Sequence, residues 1–259
     1  MHTIRNYIMA ESLEQAWELN QKGRNNVIIG GNLWLKMGNR NILNAIDLST
    51  LGLDRIEEDE SGFRIGCMAT LRDIEMHEGL NKEFQNLFKE AVRHIVGVQF
   101  RNCATVGGSI FPKLGFSDVL TAFLACDTQV ILYKKGSLRE FIYMPLDNDI
   151  LTHIYVKKDG RKTAYESFRM TETDFPTLTC AMAMVDGRFE TVLGARPKHA
   201  EVVIDEELAD SLSKEDVASY AKRVIDKLQY GSNIRGSKQY RKQLSKVLIS
   251  RCISRLTEE

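Results

Sequence analysis

Two glycine pairs stand where apolar runs end: Ile28-Ile29-Gly30-Gly31-Asn32 and Thr105-Val106-Gly107-Gly108-Ser109. Successive glycines permit positive φ and let backbone approach a ligand with no Cβ in the way. Their N–H groups can converge on an anion, more strongly where a helix begins. Two such turns suit a diphosphate, with Asn32, Thr105 and Ser109 adding uncharged donors. Each is also compatible with a plain tight turn; the pairing strengthens the phosphate reading. Neither turn is a Walker loop, because no Gly-Lys-Ser/Thr follows, and neither has the G-x-G-x-x-G spacing of a Rossmann turn. Asp118 follows Ser109 by nine positions. The Ser117-Asp118 pair can cap an apolar helix, or the carboxylate can accept from a ribose hydroxyl.

The remaining reactive residues carry no second chemistry. Histidines 2, 77, 94, 153 and 199 lack ligand spacing, and His94 suits a helix C-terminus. Cys67, Cys103, Cys126, Cys180 and Cys252 are scattered, with no C-x-x-C, which argues against zinc, an iron–sulfur cluster or a disulfide scaffold. Buried free thiols are the expectation. No paired carboxylates or nucleophile triad stand out, which suits a chain whose chemistry belongs to a cofactor.

The elements that must position the glycine turns are of both kinds. Ser12-Leu13-Glu14-Gln15 opens a helix to about Lys22, and Val27-Ile28-Ile29 is a buried strand feeding the first turn. A short helix over 33–37 and a strand over 42–48 follow. A strand over 62–66 leads to Thr70, which caps a helix. Helical spacing of Phe84, Leu87, Phe88, Ala91, Val92 and Ile95 predicts one helix before Gly97. A helix over 118–125 and a strand over 128–132 come next. Strands are expected over 152–156, 163–168, 179–185 and 188–193, the last two joined by a hairpin at Gly187. Helices over about 213–228 and 237–256 close the chain. The class is α+β, since strands and helices mix without strict alternation. The expected division falls near Asp147-Asn148-Asp149, giving 1–150 (with subdomains of about 1–55 and 56–150) and 151–259.

Composition excludes several classes. Of the 259 residues, 43% are hydrophobic and 27% charged, as in ordinary globular proteins. Lys plus Arg (35) balances Asp plus Glu (35), so there is no electrostatic case for nucleic acid or an anionic membrane. No apolar run approaches a membrane span, and the N-terminus lacks a signal-peptide pattern. The expected location is the cytoplasm.

The run from His94 through Gly97-Val98-Gln99-Phe100-Arg101-Asn102-Cys103-Ala104-Thr105-Val106-Gly107-Gly108-Ser109-Ile110, continued by Ser117-Asp118, resembles the FAD-binding signature of the molybdopterin dehydrogenase flavoprotein family. That family includes the medium subunits of carbon monoxide dehydrogenase and the FAD part of xanthine dehydrogenase. Ile29-Gly30-Gly31-Asn32-Leu33, Ile65-Gly66-Cys67-Met68-Ala69-Thr70, Gly194-Ala195-Arg196-Pro197 and Arg235-Gly236-Ser237 with Tyr240-Arg241 are similar to its other motifs, in order, over nearly the whole chain. The 97–118 run is the specific one; the others are weak singly.

The resemblance implies two N-terminal α/β subdomains clasping FAD, then a C-terminal domain of a small antiparallel sheet with helices. It implies that Ile28, Ile29, Gly30, Gly31, Asn32 and Leu33 line the FAD diphosphate, and that Thr105, Gly107, Gly108 and Ser109 hold it from the other side. Asp118 then meets the ribose region, Ile95 lies near the adenine and Leu151 near the flavin end. The implied partners are a small subunit with two [2Fe–2S] clusters and a large molybdopterin subunit, in a heterotrimer passing electrons to NAD or another acceptor. Ser109 and Asn32 replace the usual Asn and Thr and keep the hydrogen bonding. A basic residue that some members place near the flavin is replaced at Tyr165-Glu166. Two rivals are a stand-alone FAD reductase, which needs a substrate domain not recognisable here, and a scaffold subunit that has lost FAD, against which Asn32, Ser109 and Asp118 argue.

Overall fold

In the computed structural model, residues 3–138, 140–205 and 213–257 are described. The first elements are β1 (Thr3–Met9), α1 (Leu13–Gln21), β2 (Asn26–Ile29), β3 (Asn41–Asp47), β4 (Ile56–Glu58) and β5 (Gly62–Gly66). Short helices α2 (Leu71–Met76), α3 (Glu78–Glu83), α4 (Leu87–Val92), α5 (Val98–Arg101), α6 (Val106–Ile110) and α7 (Asp118–Leu124) follow. Then come β6 (Thr128–Leu132), β7 (Gly136–Leu138), β8 (Leu151–Lys157), β9 (Lys162–Phe168), β10 (Leu178–Val185), β11 (Arg188–Gly194) and β12 (Glu201–Ile204), and finally α8 (Lys214–Lys227) and α9 (Lys238–Thr257). The class is mixed α and β with antiparallel sheets, as expected.

The chain divides into two interleaved units. The first comprises Met1–Asp73, Val98–Pro112 and Thr128–Lys157; the second comprises Ile74–Gly97, Lys113–Asp127 and Lys158–Glu259. This differs from a division at residue 150. The strand after that point, β8, pairs with β5 and β6 inside the five-stranded sheet β4-β5-β8-β6-β7, so its backbone groups belong to the first unit.

Within the first unit a second sheet, β1-β3-β2, is parallel. Ile29, Ile42 and Ala45 form its small core. Residues 3–9 carry no strand signal in the sequence because β1 is an edge strand with most residues exposed.

The second unit is built on the antiparallel sheet β12-β11-β10-β9. Its central strand β10 is buried on both faces, as its pattern of alternate residues reveals. Leu178, Cys180 and Met182 join a core with Leu248, Ile249 and Cys252 of α9 and Val224 of α8. Thr179 points the other way, where its hydroxyl lies 2.9 Å from that of Thr121 on α7. The Asp186-Gly187 hairpin is as expected, with both residues in the left-handed region (φ 50 and 75). The single helix expected over 84–95 is instead interrupted, because Gln85 and Asn86 also take positive φ (43 and 62). Asn81 stabilises the break: its amide donates to the carbonyls of Ile74, Glu75 and His77, and its Oδ1 accepts from the N–H of Lys89. The helix expected over 33–37 reduces to a 3₁₀ turn, Leu35–Met37.

Candidate functional site

Both glycine turns lie in the first unit and touch. β2 ends at buried Ile29, and the chain then turns through Gly31 and Asn32 at φ 63 and 57. A Cβ on Gly31 would fall on the carbonyl oxygen of Cys103, and one on Gly30 would fall on the Thr105 hydroxyl. Gly108 in turn packs toward the Gly30 carbonyl; a Cβ there would lie 3.4 Å from that oxygen. Only paired glycines let two backbones come this close.

The two turns differ in their donors. In the second, Thr105 caps α6. Val106 N–H donates to Ala69 O and Gly107 N–H to Cys67 O, each at 2.8 Å, while Gly108 N–H donates to the Thr105 hydroxyl at 3.1 Å. Ser109 donates its N–H and its hydroxyl to Thr105 O. These groups are committed within the chain, so this turn supplies close-packed shape. In the first turn, among the described residues, the N–H groups of Gly31 and Asn32 meet no acceptor. The buried Asn32 Oδ1 has no hydrogen-bond partner either. An amide can present its oxygen or its nitrogen there, so it can accept or donate. Consecutive free N–H groups beside an unengaged amide fit a phosphate-bearing group. Leu33 follows directly in the same turn. Leu151, also in the first unit, is buried at the head of β8.

The second unit holds Ile95 and Asp118. Ile95 is half-buried and precedes Val96, whose φ is 52. Asp118 opens α7 behind Ser117, whose hydroxyl caps Leu120 N–H. The carboxylate is buried. Its Oδ1 accepts from the Tyr165 hydroxyl at 2.5 Å and from Arg169 Nη2 at 2.6 Å. Burial pushes this carboxyl up from its ordinary range, against the pull of Arg169 and Tyr165. Among the described residues, buried Arg169 Nε meets no partner. Sequence reading missed this network; the signal was a basic residue directly after the strand, Phe168-Arg169.

Tyr165 and Glu166 point to opposite faces of β9, as alternation requires. Tyr165 meets Asp118, whereas Glu166 pairs with Arg255 at 2.5 Å and Arg251 at 4.0 Å on α9. The carboxylate that stands where some members place a basic residue is therefore matched by two guanidinium groups. Among the described residues, no cluster of three His, Cys, Asp or Glu side chains could hold a metal, and no helix is long and apolar enough to cross a membrane.

A mixed α/β chain presenting a glycine–asparagine cradle with unengaged donors has the local chemistry of a phosphate-binding class of protein. Residues 2–149, more than half of the chain, match the family described as the FAD binding domain in molybdopterin dehydrogenase. The chain belongs to that family of FAD-binding subunits. It is similar to the glyceraldehyde dehydrogenase medium chain of Sulfolobus acidocaldarius, at 26% identity over 93% of this chain and 94% of that one. Similarity to the 6-hydroxypseudooxynicotine dehydrogenase complex subunit alpha of Paenarthrobacter nicotinovorans is 23% identity, covering 96% and 93%. Its fold matches a chain of the carbon monoxide dehydrogenase from Hydrogenophaga pseudoflava lacking the Mo-pyranopterin moiety, with TM-score 0.86, 21% identity and coverage of 99% and 98%.

Proposed function

We propose that this chain is the FAD-carrying electron-transfer subunit of a molybdenum hydroxylase-type dehydrogenase. It would take electrons from [2Fe–2S] clusters on a small partner subunit, supplied by a large molybdopterin subunit, and pass them to NAD or another acceptor, in the cytoplasm. The observation that carries the reading is the match of 2–149 to the FAD-binding family. Relatives named as a dehydrogenase medium chain and a dehydrogenase complex subunit support a multi-subunit assembly. Those names concern glyceraldehyde and 6-hydroxypseudooxynicotine, and the matched structure carbon monoxide. We therefore favour an aldehyde- or small-molecule-oxidising complex over a xanthine dehydrogenase.

FAD, when bound, supplies one- and two-electron transfer, so the chain need only bind and orient it. Gly31 and Asn32 N–H would face the diphosphate, with Ile28, Ile29, Gly30 and Leu33 shaping the first turn. Thr105, Gly107, Gly108 and Ser109 would close it by packing. Asp118, Ile95 and Leu151 keep the ribose, adenine and flavin-end roles that the resemblance implies. The test is chromatography of the flavin released on denaturing the purified chain. FAD is expected. FMN, or no flavin after reconstitution, overturns the reading; the absence of flavin returns the chain to a scaffold role.

A further inference from the structure

Cys180 and Cys252 sit together in the core of the second unit. Their sulfurs are 3.8 Å apart, both residues are fully buried, and 72 positions of chain separate them. Cys180 lies on the central strand β10 and Cys252 on the closing helix α9. The register between them is set independently. Cys180 pairs across the sheet with Glu166, so the two side chains share a face. Glu166 grips Arg251 and Arg255, which flank Cys252 by one and three positions. A polar clamp therefore holds the same helical turn that brings the two thiols together. A disulfide needs its sulfurs at roughly 2 Å, so side-chain rotation must close a little under 2 Å more.

We propose that Cys180 and Cys252 are a disulfide site that staples α9 to the sheet when the chain meets an oxidant of the peroxide class. One sulfur attacks the O–O bond, becoming a sulfenic acid and releasing water; the other displaces the sulfenic oxygen as a second water. The S–S bond forms, the two sulfurs lose two electrons, and both thiol protons end in water. In the closed fold neither sulfur is reachable, and burial holds the Cys180 thiol well above its usual range. Reaction therefore proceeds through undocking of α9 and is slow in the closed state. None of this depends on whether FAD is bound.

The test treats the full chain with hydrogen peroxide across urea concentrations below the unfolding midpoint, followed by non-reducing peptide mapping. A reductant-sensitive peptide joining Cys180 to Cys252 is expected, forming about ten times faster just below the midpoint than without urea. The linked protein should melt roughly ten degrees higher, because a crosslink spanning 72 residues removes loop entropy from the unfolded chain. Cys252→Ser should lose both the peptide and the gain; Cys252→Ala is the alternative if Ser in that apolar core prevents folding. Absence of the linked peptide at every urea concentration, or a link that lowers the melting temperature, overturns the proposal. A gain in melting temperature that survives in Cys252→Ala does so too.

Discussion

The turns at Gly30-Gly31 and Gly107-Gly108 look alike in sequence and differ in what they leave available. After Thr105, the N–H groups of 106 to 109 are all bonded within the chain, to Ala69, Cys67 and Thr105 itself. After Ile29, Gly31 and Asn32 turn left-handed and keep their N–H groups unengaged among the described residues. One turn is a packing joint and the other a presenting surface. Glycine is needed in both for close backbone approach, to Cys67 at Gly107 and to Cys103 at Gly31, and at Gly31 for a left-handed φ as well.

The largest expected effect breaks the joint. A Cβ on Gly107 would lie 2.7 Å from Cys67 O and 2.8 Å from Cys67 Cβ. Gly107→Val places a branched side chain there, which should cost about 3 kcal/mol or more. Thermal unfolding of the apoprotein should show it, with flavin lost as a consequence. An unchanged melting temperature would mean that Cys67 does not pack against Gly107 as closely as the geometry places it.

Gly31→Ala comes next. Alanine at φ 63 is disfavoured by about 1 kcal/mol, and its Cβ would fall 1.8 Å from the Cys103 carbonyl oxygen, so the backbone must shift at a further cost of about 1–2 kcal/mol. Folding should survive with a lower melting temperature, while flavin retained through gel filtration should fall to near zero. Normal flavin occupancy would refute the assignment of this turn to the diphosphate.

Asn32→Asp adds charge without changing the backbone preference, since aspartate tolerates the left-handed region as asparagine does. A carboxylate oxygen in place of the buried, unpartnered Oδ1 is desolvated, so apoprotein stability should fall by about 1 kcal/mol. The added charge would oppose a phosphate at hydrogen-bond range by about 1–4 kcal/mol. FAD affinity should drop tenfold or more by fluorescence titration. Equal affinity would place the phosphates elsewhere.

How far the sequence discloses this arrangement depends on the kind of force involved. The two glycine turns, the Asp186-Gly187 hairpin and the helices capped by Ser12 and Ser213 are local in origin, so they read directly from neighbouring residues. The edge strand β1 does not, because its hydrogen bonds to β3 lie far along the chain and its faces are exposed. The break at Gln85-Asn86 is invisible to helical periodicity, since the apolar spacing continues through it while Asn81 satisfies the freed groups. The division of the chain was obscured because β8 completes a sheet begun about ninety residues earlier. Whether an N–H is committed or free is likewise a tertiary property: Ala69 and Cys67 decide it for the second turn, and nothing near Gly107 announces them.

Glu166 extends the same distinction to a side chain and carries the smallest expected effect on the cofactor. By sequence alone, a carboxylate replacing a basic residue near a flavin should make the flavin harder to reduce, since reduced flavin carries negative charge. In the structure, Glu166 is engaged by Arg255 at 2.5 Å and Arg251 at 4.0 Å on α9, while the basic group of this segment, Arg169, is bonded to Asp118. The Glu166 charge is balanced locally, and the two arginines are about half exposed, which lets water screen what remains. Glu166→Gln should therefore leave the flavin midpoint potential within about 10 mV of wild type, well under 1 kcal/mol. Its effect should appear in α9 instead. Removing one partner leaves Arg255 without its ion pair, at a cost of about 0.5–1 kcal/mol after allowing for exposure. Helix α9 should show faster amide exchange over 251–255, and the melting temperature should fall by a few degrees. A redox titration displaced by tens of millivolts, with exchange in α9 unchanged, would show that Glu166 acts on the flavin after all, and that an engaged side chain can still set the potential.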